Sequence, residues 1–151
     1  RLDWPLVIAG TGPEQERMQA AAARSGRDVR FVGWVDQAAA AAWMGHASML
    51  IFPSRGPESL SRVLLEASAL GVPIAAMDTG GTADIVEDGR TGLLSRTPEE
   101  LARDVARLRG DPALRERLGA AARERAAARF DSGVVLARIE QLYRDLAAGR
   151  P

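Results

Sequence analysis

Four apolar runs recur along the first half of the chain: residues 5–9 (PLVIA), 29–32 (VRFV), 48–52 (SMLIF) and 73–77 (PIAAM). Each is too short for a helix and most lack polar alternation, the pattern of strands covered on both faces. Between them lie residues 14–24, 37–46 and 60–70, rich in Ala, Leu, Met and Arg, which predict helices. Alternating strands and helices require crossover connections. The expected class is therefore α/β, a Rossmann-like doubly wound parallel sheet sandwiched by helices.

After Met77 the pattern changes. Asp78-Thr79-Gly80-Gly81 predicts a turn, residues 82–86 a short helix, and residues 91–94 a last short strand. From Thr97 onward the chain reads as helical. Thr97-Pro98-Glu99-Glu100 supplies an N-cap, a first-turn proline and first-turn acids, while Asp111-Pro112 and Asp131-Ser132 restart helices. This C-terminal third is expected to pack outside the sheet and to carry little chemistry. Its arginines, 103, 107, 109, 115, 117, 123, 125 and 129, alternate with acids and read as a solvated helix face or one packed on a partner domain.

A length of 151 residues fits a single domain with one core. Twenty basic and twenty acidic side chains balance to zero net charge without a basic block, which argues against non-specific nucleic-acid binding. All twenty bases are arginine, so no catalytic lysine exists. The absence of cysteine excludes a disulfide-stapled scaffold. No apolar run approaches the ~20 residues of a membrane-spanning helix. The first ten residues already read as strand and show no targeting signal, so a cytoplasmic location is expected. Peripheral membrane contact is left to other parts of a longer protein.

In an open parallel sheet, ligands bind at the carboxyl ends of the strands, so the loops after each run carry the functional information. Gly10-Thr11-Gly12-Pro13 joins the first strand to a helix and is either a plain turn or an anion cradle. Gly33-Trp34-Val35-Asp36-Gln37 follows the second, with Asp36 as a helix cap or the loop as the cradle of a flat base. Gly80 and Gly81 mark a tight turn or a close backbone approach.

The loop after the third strand, PSRGPESLS, contains Glu58, and Glu66 stands eight residues on. Glu58 can complement a helix macrodipole, and Glu66 can form an i,i+4 pair with Arg62 worth ~0.2–0.5 kcal/mol. Taken as helical spacing, eight residues rise ~12 Å, too far for an acid–base pair on one bond. Two carboxylates accepting from hydroxyls on either side of a diphosphate fit better. Amides of the helix starting near Leu60 would then hold the diphosphate, Glu58 would reach one sugar and Glu66 the ribose.

The stretches VRFVGWVD, PSRGPESLSRVLLEASALGVPIA and DTGGTADIVEDGRTGLL resemble the donor-binding half of GT-B glycosyltransferases of family 4, the glycosyl transferases group 1. The resemblance covers nearly the whole chain, and its E-x7-E element, Glu58 to Glu66, is specific. It implies retaining transfer of a hexosyl group from a nucleotide-diphosphate sugar, with no metal or other cofactor. It also implies Glu58 at the donor-sugar hydroxyls, Glu66 at the ribose, and Ser59, Leu60 and Ser61 at sugar and phosphate. Gly10, Gly12, Gly80 and Gly81 complete the donor site, and Val35 and Asp36 line the base. Where members usually read E-G-F-G, this chain has Glu58-Ser59-Leu60-Ser61, which places a hydroxymethyl group at a glycine position.

The family's phosphate-binding Arg and Lys belong to a βα unit upstream of the first strand. Residues 1–151 are therefore expected to form one nucleotide-sugar-binding domain, the C-terminal half of a longer enzyme whose N-terminal half binds the acceptor. Alone it is expected to be inactive. A GT-B-fold sugar-nucleotide epimerase and a non-catalytic nucleotide-binding or scaffold module are the alternatives. His46, the one histidine, reads as a helix C-terminal cap, and Trp4, Trp34 and Trp43 as core or edge packing. Without cysteines, a histidine pair or a D-x-D sequence, no metal site is expected.

Overall fold

A computed structural model describes residues 4–56 and 59–150. The chain divides into two compact units, Arg1–Trp43 and Met44–Pro151. In the first, strand β1 (Leu6–Ala9), helix α1 (Gln15–Ser25) and strand β2 (Val29–Gly33) form a βαβ unit. The two strands pair in parallel, Leu6 against Val29 and Ile8 against Phe31, with a register shift before Ala9. Gly26 ends α1 in the left-handed conformation at φ 62°, and helix α2 (Gln37–Gly45) follows β2.

None of the described residues of the first unit is buried. The expected coverage of β1 and β2 on both faces is therefore not found. Two strands hold too little apolar surface to close a core around themselves. The tryptophan reading is corrected too: Trp34 is 76% exposed, and Trp4 and Trp43 are also exposed.

The second unit contains β3 (Leu50–Phe52), α3 (Arg62–Leu70), β4 (Ile74–Met77), α4 (Thr82–Ile85) and β5 (Leu93–Ser95), then α5 (Pro98–Gly110), α6 (Pro112–Arg129) and α7 (Ser132–Ala147). Its sheet runs β3-β4-β5, all parallel, with Ile51 opposite Ala75 and Ala76 opposite Leu94. Every residue of the central strand β4 is buried, so the two-faced pattern read from sequence holds there. The α/β class with parallel strands flanked by helices is what the sequence predicted.

The C-terminal helices supply much of the core. Leu101 and Leu108 of α5 and Leu114 and Leu118 of α6 cluster with Ala75, Met77 and Leu93 of the sheet. Leu108 and Leu118 are fully buried, each contributing about 1.5–3 kcal/mol of transfer free energy. Helix α6 also packs along α3. The contact is close at Gly119, where a Cβ would overlap the Gly71 carbonyl oxygen. Gly71 itself ends α3 at φ 72°, with the Val72 N–H returning to the Ala67 carbonyl at 2.9 Å.

Local capping follows the sequence closely. The Thr97 hydroxyl accepts from the Glu100 N–H at 3.2 Å. In return Glu100 Oε2 accepts from the Thr97 N–H at 3.3 Å, which closes a capping box with Pro98 in the first turn. Asp111 Oδ1 accepts from the Leu114 N–H at 2.9 Å, and Asp131 Oδ1 from the Gly133 N–H at 2.9 Å. The Arg96 N–H, which donates to Glu100 Oε2 at 2.7 Å, is the main cause holding the Glu100 carboxyl below its ordinary 4.5.

Replacing Gly119 with Ala improves intrinsic helix propensity by roughly 1 kcal/mol, yet urea unfolding is expected to show net destabilisation, because the added methyl meets backbone and not a movable side chain. Glu100→Gln should lower the melting temperature at pH 7. Because the folded carboxyl titrates below its unfolded value, the stability it contributes is present above 4.5 and is lost as pH falls through the lowered pKa. The two melting curves should therefore converge in acid.

Candidate functional site

Parallel strands bring their carboxyl ends to one edge, and in the second unit the loops leaving β3 and β4 meet there. The Thr79 hydroxyl donates to the Ser54 carbonyl at 3.3 Å. A Cβ on Gly81 would overlap the Ser59 carbonyl oxygen, so only glycine allows the two backbones to approach this closely. Gly80 beside it takes φ 52°. The fully buried Thr82 locks the turn by donating its hydroxyl to the Thr79 carbonyl at 2.7 Å. Of the two readings offered by the paired glycines, the structure shows a turn that is also a close approach.

Helix α3 starts at Arg62, with Ser61 as its extended N-cap at ψ 116°, two residues past Leu60, close to where the apolar pattern put it. Leu60 precedes the helix and is exposed. Glu58 lies outside the described residues, upstream of the helix start. Ser59 is exposed, whereas Ser61 is 6% exposed.

Glu66 sits in the second turn of α3, its side chain 30% exposed, with Oε1 3.4 Å from Arg62. This is the i,i+4 pair foreseen as the plain alternative. Arg62 is 77% exposed, so the contact is a weak surface one and leaves Glu66 open to other hydroxyl or cationic partners.

In the first unit, the Gly10 N–H donates to the Gly33 carbonyl at 2.6 Å, which joins the loops after β1 and β2. Gly10 takes φ 120°. Gly12 closes an ordinary turn by accepting from the Gln15 N–H at 3.1 Å. Asp36 Oδ1 accepts from the Ala39 N–H at 2.8 Å, so Asp36 is a cap of α2. Val35 beside it is half-buried.

Sequence reasoning missed the residues that hold this edge from behind. Arg123 of α6 donates to the Leu70 carbonyl at the C-terminal end of α3. Arg125, its side chain 14% exposed, donates to the carbonyls of Ile85 and Asp84 at 3.2 and 3.0 Å and pairs with Glu87. Its guanidinium lies 5.7 Å from the Phe130 ring centroid. One helix thus grips the C-terminal ends of the two helices whose N-terminal ends border the candidate site. These arginines, together with Arg115 and Arg117, bond main-chain carbonyls, which corrects the reading of a solvated face for those four, whereas Arg103, Arg107 and Arg129 are exposed as that reading expected. No local signal separates the four from surface arginines, because their partners lie 28 to 53 residues away except for Arg115. Among the described residues no group of three or more acids or histidines gathers as a metal site, and no helix is long and apolar enough to cross a membrane.

The family model for glycosyl transferases group 1 matches residues 1–111. A phosphatidyl-myo-inositol mannosyltransferase from Mycobacterium leprae is 38% identical over 148 residues, covering 96% of this chain and 39% of that protein. Sucrose-phosphate synthase from Thermosynechococcus elongatus superposes with a TM-score of 0.81 at 32% identity, over 95% of this chain and 39% of its own. HepE from Anabaena, solved in complex with UDP, gives a TM-score of 0.80 at 25% identity, over 95% of this chain and 41% of its own. The fold matches these GT-B structures, and the chain spans about two fifths of the length of each of these three proteins.

The grip on α4 should be measurable as coupling. Arg125→Gln is expected to cost about 1–3 kcal/mol in denaturant unfolding, and Glu87→Gln less. The double variant should be less destabilised than the sum of the two by at least about 0.5 kcal/mol. Additive losses would mean that the ion pair contributes nothing.

Proposed function

The chain belongs to the glycosyl transferases group 1 family, and on that premise we propose that it is the donor-binding half of a retaining, family 4 enzyme that transfers a hexosyl group from a nucleoside-diphosphate sugar to an acceptor. The observation that carries this reading is the junction of two loops at the carboxyl edge of the sheet, with Gly81 packed against the Ser59 carbonyl directly before helix α3. A diphosphate laid across the start of α3 meets the N–H groups of the first turn and the positive end of the helix dipole. The Ser61 side chain does not cap these groups.

In this arrangement Glu66 accepts from the ribose diol, for which a carboxylate has two oxygens. Its bond to Arg62 is weak enough to yield to a ligand. Glu58 takes the donor-sugar hydroxyls on the other side, and the backbone of residues 59–61 borders sugar and phosphate. Transfer then rests on positioning and on oriented amides that stabilise the departing diphosphate, without a metal. The acceptor is held by another half of the protein, and the enzyme works in the cytoplasm.

Titration calorimetry of the chain with UDP and GDP tests the reading. Glu66→Ala should weaken the ribonucleotides by about tenfold or more, and should weaken 2′,3′-dideoxy analogues far less. An equal loss for both would refute the ribose assignment, and no binding of either nucleotide to the wild type would refute the donor site. The isolated chain should show no turnover with a diphosphate sugar and an alcohol acceptor. Detectable turnover would contradict the division of labour between two halves.

A further inference from the structure

Helix α4 is a single turn, Thr82–Ile85. One turn fixes several backbone dihedrals in return for few hydrogen bonds, so its position is set by what holds it from outside. Its front continues into the loop after β4, where the Thr82 hydroxyl donates to the Thr79 carbonyl, the Thr79 hydroxyl donates to the Ser54 carbonyl, and Gly81 rests on the Ser59 carbonyl. Its back is held by one side chain. The Arg125 guanidinium donates from Nε to the Ile85 carbonyl and from Nη2 to the Asp84 carbonyl, and its Nη1 pairs with Oε1 of Glu87. All three nitrogens are engaged, and at 14% exposure water competes little for these bonds. The planar fork of arginine presents its donors in fixed directions, whereas a lysine ammonium is a point charge on a flexible stem.

We propose that Arg125 is a positioning residue for the transferred sugar. Held from behind, α4 keeps the Gly80–Gly81 turn seated against the Ser59 carbonyl, and that seating sets the backbone of residues 59–61 where it borders the donor sugar. The inference rests on the donor-site reading and extends it to a residue on another helix that acts without touching the ligand. A site built on loops keeps its geometry only when the hydrogen bonds around it lock those loops. Here the lock is contiguous. It runs from α6 through α4 to the glycine turn, and from the turn to the loop that leaves β3. Glu66, which reads the ribose in the same arrangement, stands on α3 beside Arg62 and outside this chain of contacts. Loss of Arg125 therefore acts on the sugar side of the donor and spares the nucleoside side.

Arg125→Lys and Arg125→Gln test this, with Arg117→Gln as the control, since that variant loses a bond from the same helix to the Gly89 carbonyl. In the ligand-free chain, amide hydrogen exchange at Asp84 and Val86, whose N–H groups donate to Gly81 and Thr82, should quicken about tenfold in both Arg125 variants and not in the control. Calorimetry below the melting transition of every variant then compares UDP with UDP-glucose, and GDP with GDP-mannose. The dissociation constant of the diphosphate sugar should rise about fivefold or more in both Arg125 variants, and that of the bare nucleotide by less than about twofold. Arg125→Lys keeps the charge but not the fork, and should not restore sugar affinity. A purely structural role would lower the melting temperature and leave the ratio of the two dissociation constants at its wild-type value. That result would overturn the proposal, as would unchanged exchange at Asp84 and Val86. Wild-type chain that binds UDP or GDP but neither diphosphate sugar would overturn this inference alone. Wild-type chain that binds neither nucleotide would overturn the donor-site reading beneath it.

Discussion

Strand β4 has no exposed side chain, and that burial organises the second unit. Its backbone is paired on both sides, to β3 and to β5, so it has no free edge. Ala75 and Ala76 are small enough for helices to approach closely, and the larger Ile74 and Met77 bracket them. A strand enclosed in this way needs a helical layer on each face. Leu101 and Leu108 of α5 and Leu64 and Ala67 of α3 contribute buried apolar surface to those layers. Because the strands are parallel, their carboxyl ends share one edge, and the loops that leave them must meet there.

How closely those loops meet is set by backbone contact. Gly81 lets one loop rest on the Ser59 carbonyl, and Gly119 lets α6 rest on the Gly71 carbonyl. The second contact bears on the first. Once α6 lies across the end of α3, Arg123 and Arg125 can reach the terminal carbonyls of α3 and α4. Those carbonyls have no partner within their own helices, so the arginines satisfy groups that would otherwise need water or a cap. The N-terminal ends of the same helices face the other way, toward the carboxyl edge of the sheet.

The parts of this structure that sequence made legible are those with local causes. Thr97, Pro98 and Glu100 specify a helix start within four residues, and the capping box forms as read. Asp36, Asp111 and Asp131 cap for the same reason. The start of α3 was legible to within two residues: Leu60 extends the apolar pattern, and Ser61 takes an extended conformation that begins the helix at Arg62. Burial of β1 and β2 was misjudged because an apolar run records what a strand could cover, not what lies against it. The arginines of α6 were unreadable in principle, since an Ala-rich helix with alternating charge looks the same whether its guanidinium groups meet water or distant carbonyls.

Sequence by itself determined the alternation of strands and helices, their caps, the family, and the two acidic positions eight residues apart. Each of these depends on neighbours a few residues away or on a pattern repeated across relatives. Only the tertiary structure decided that Gly81 abuts Ser59, that Arg125 holds the end of α4, and that a buried serine starts α3 without capping it. Those facts concern atoms brought together by packing, and hydrogen-bond partners chosen by proximity leave no trace in the order of the residues.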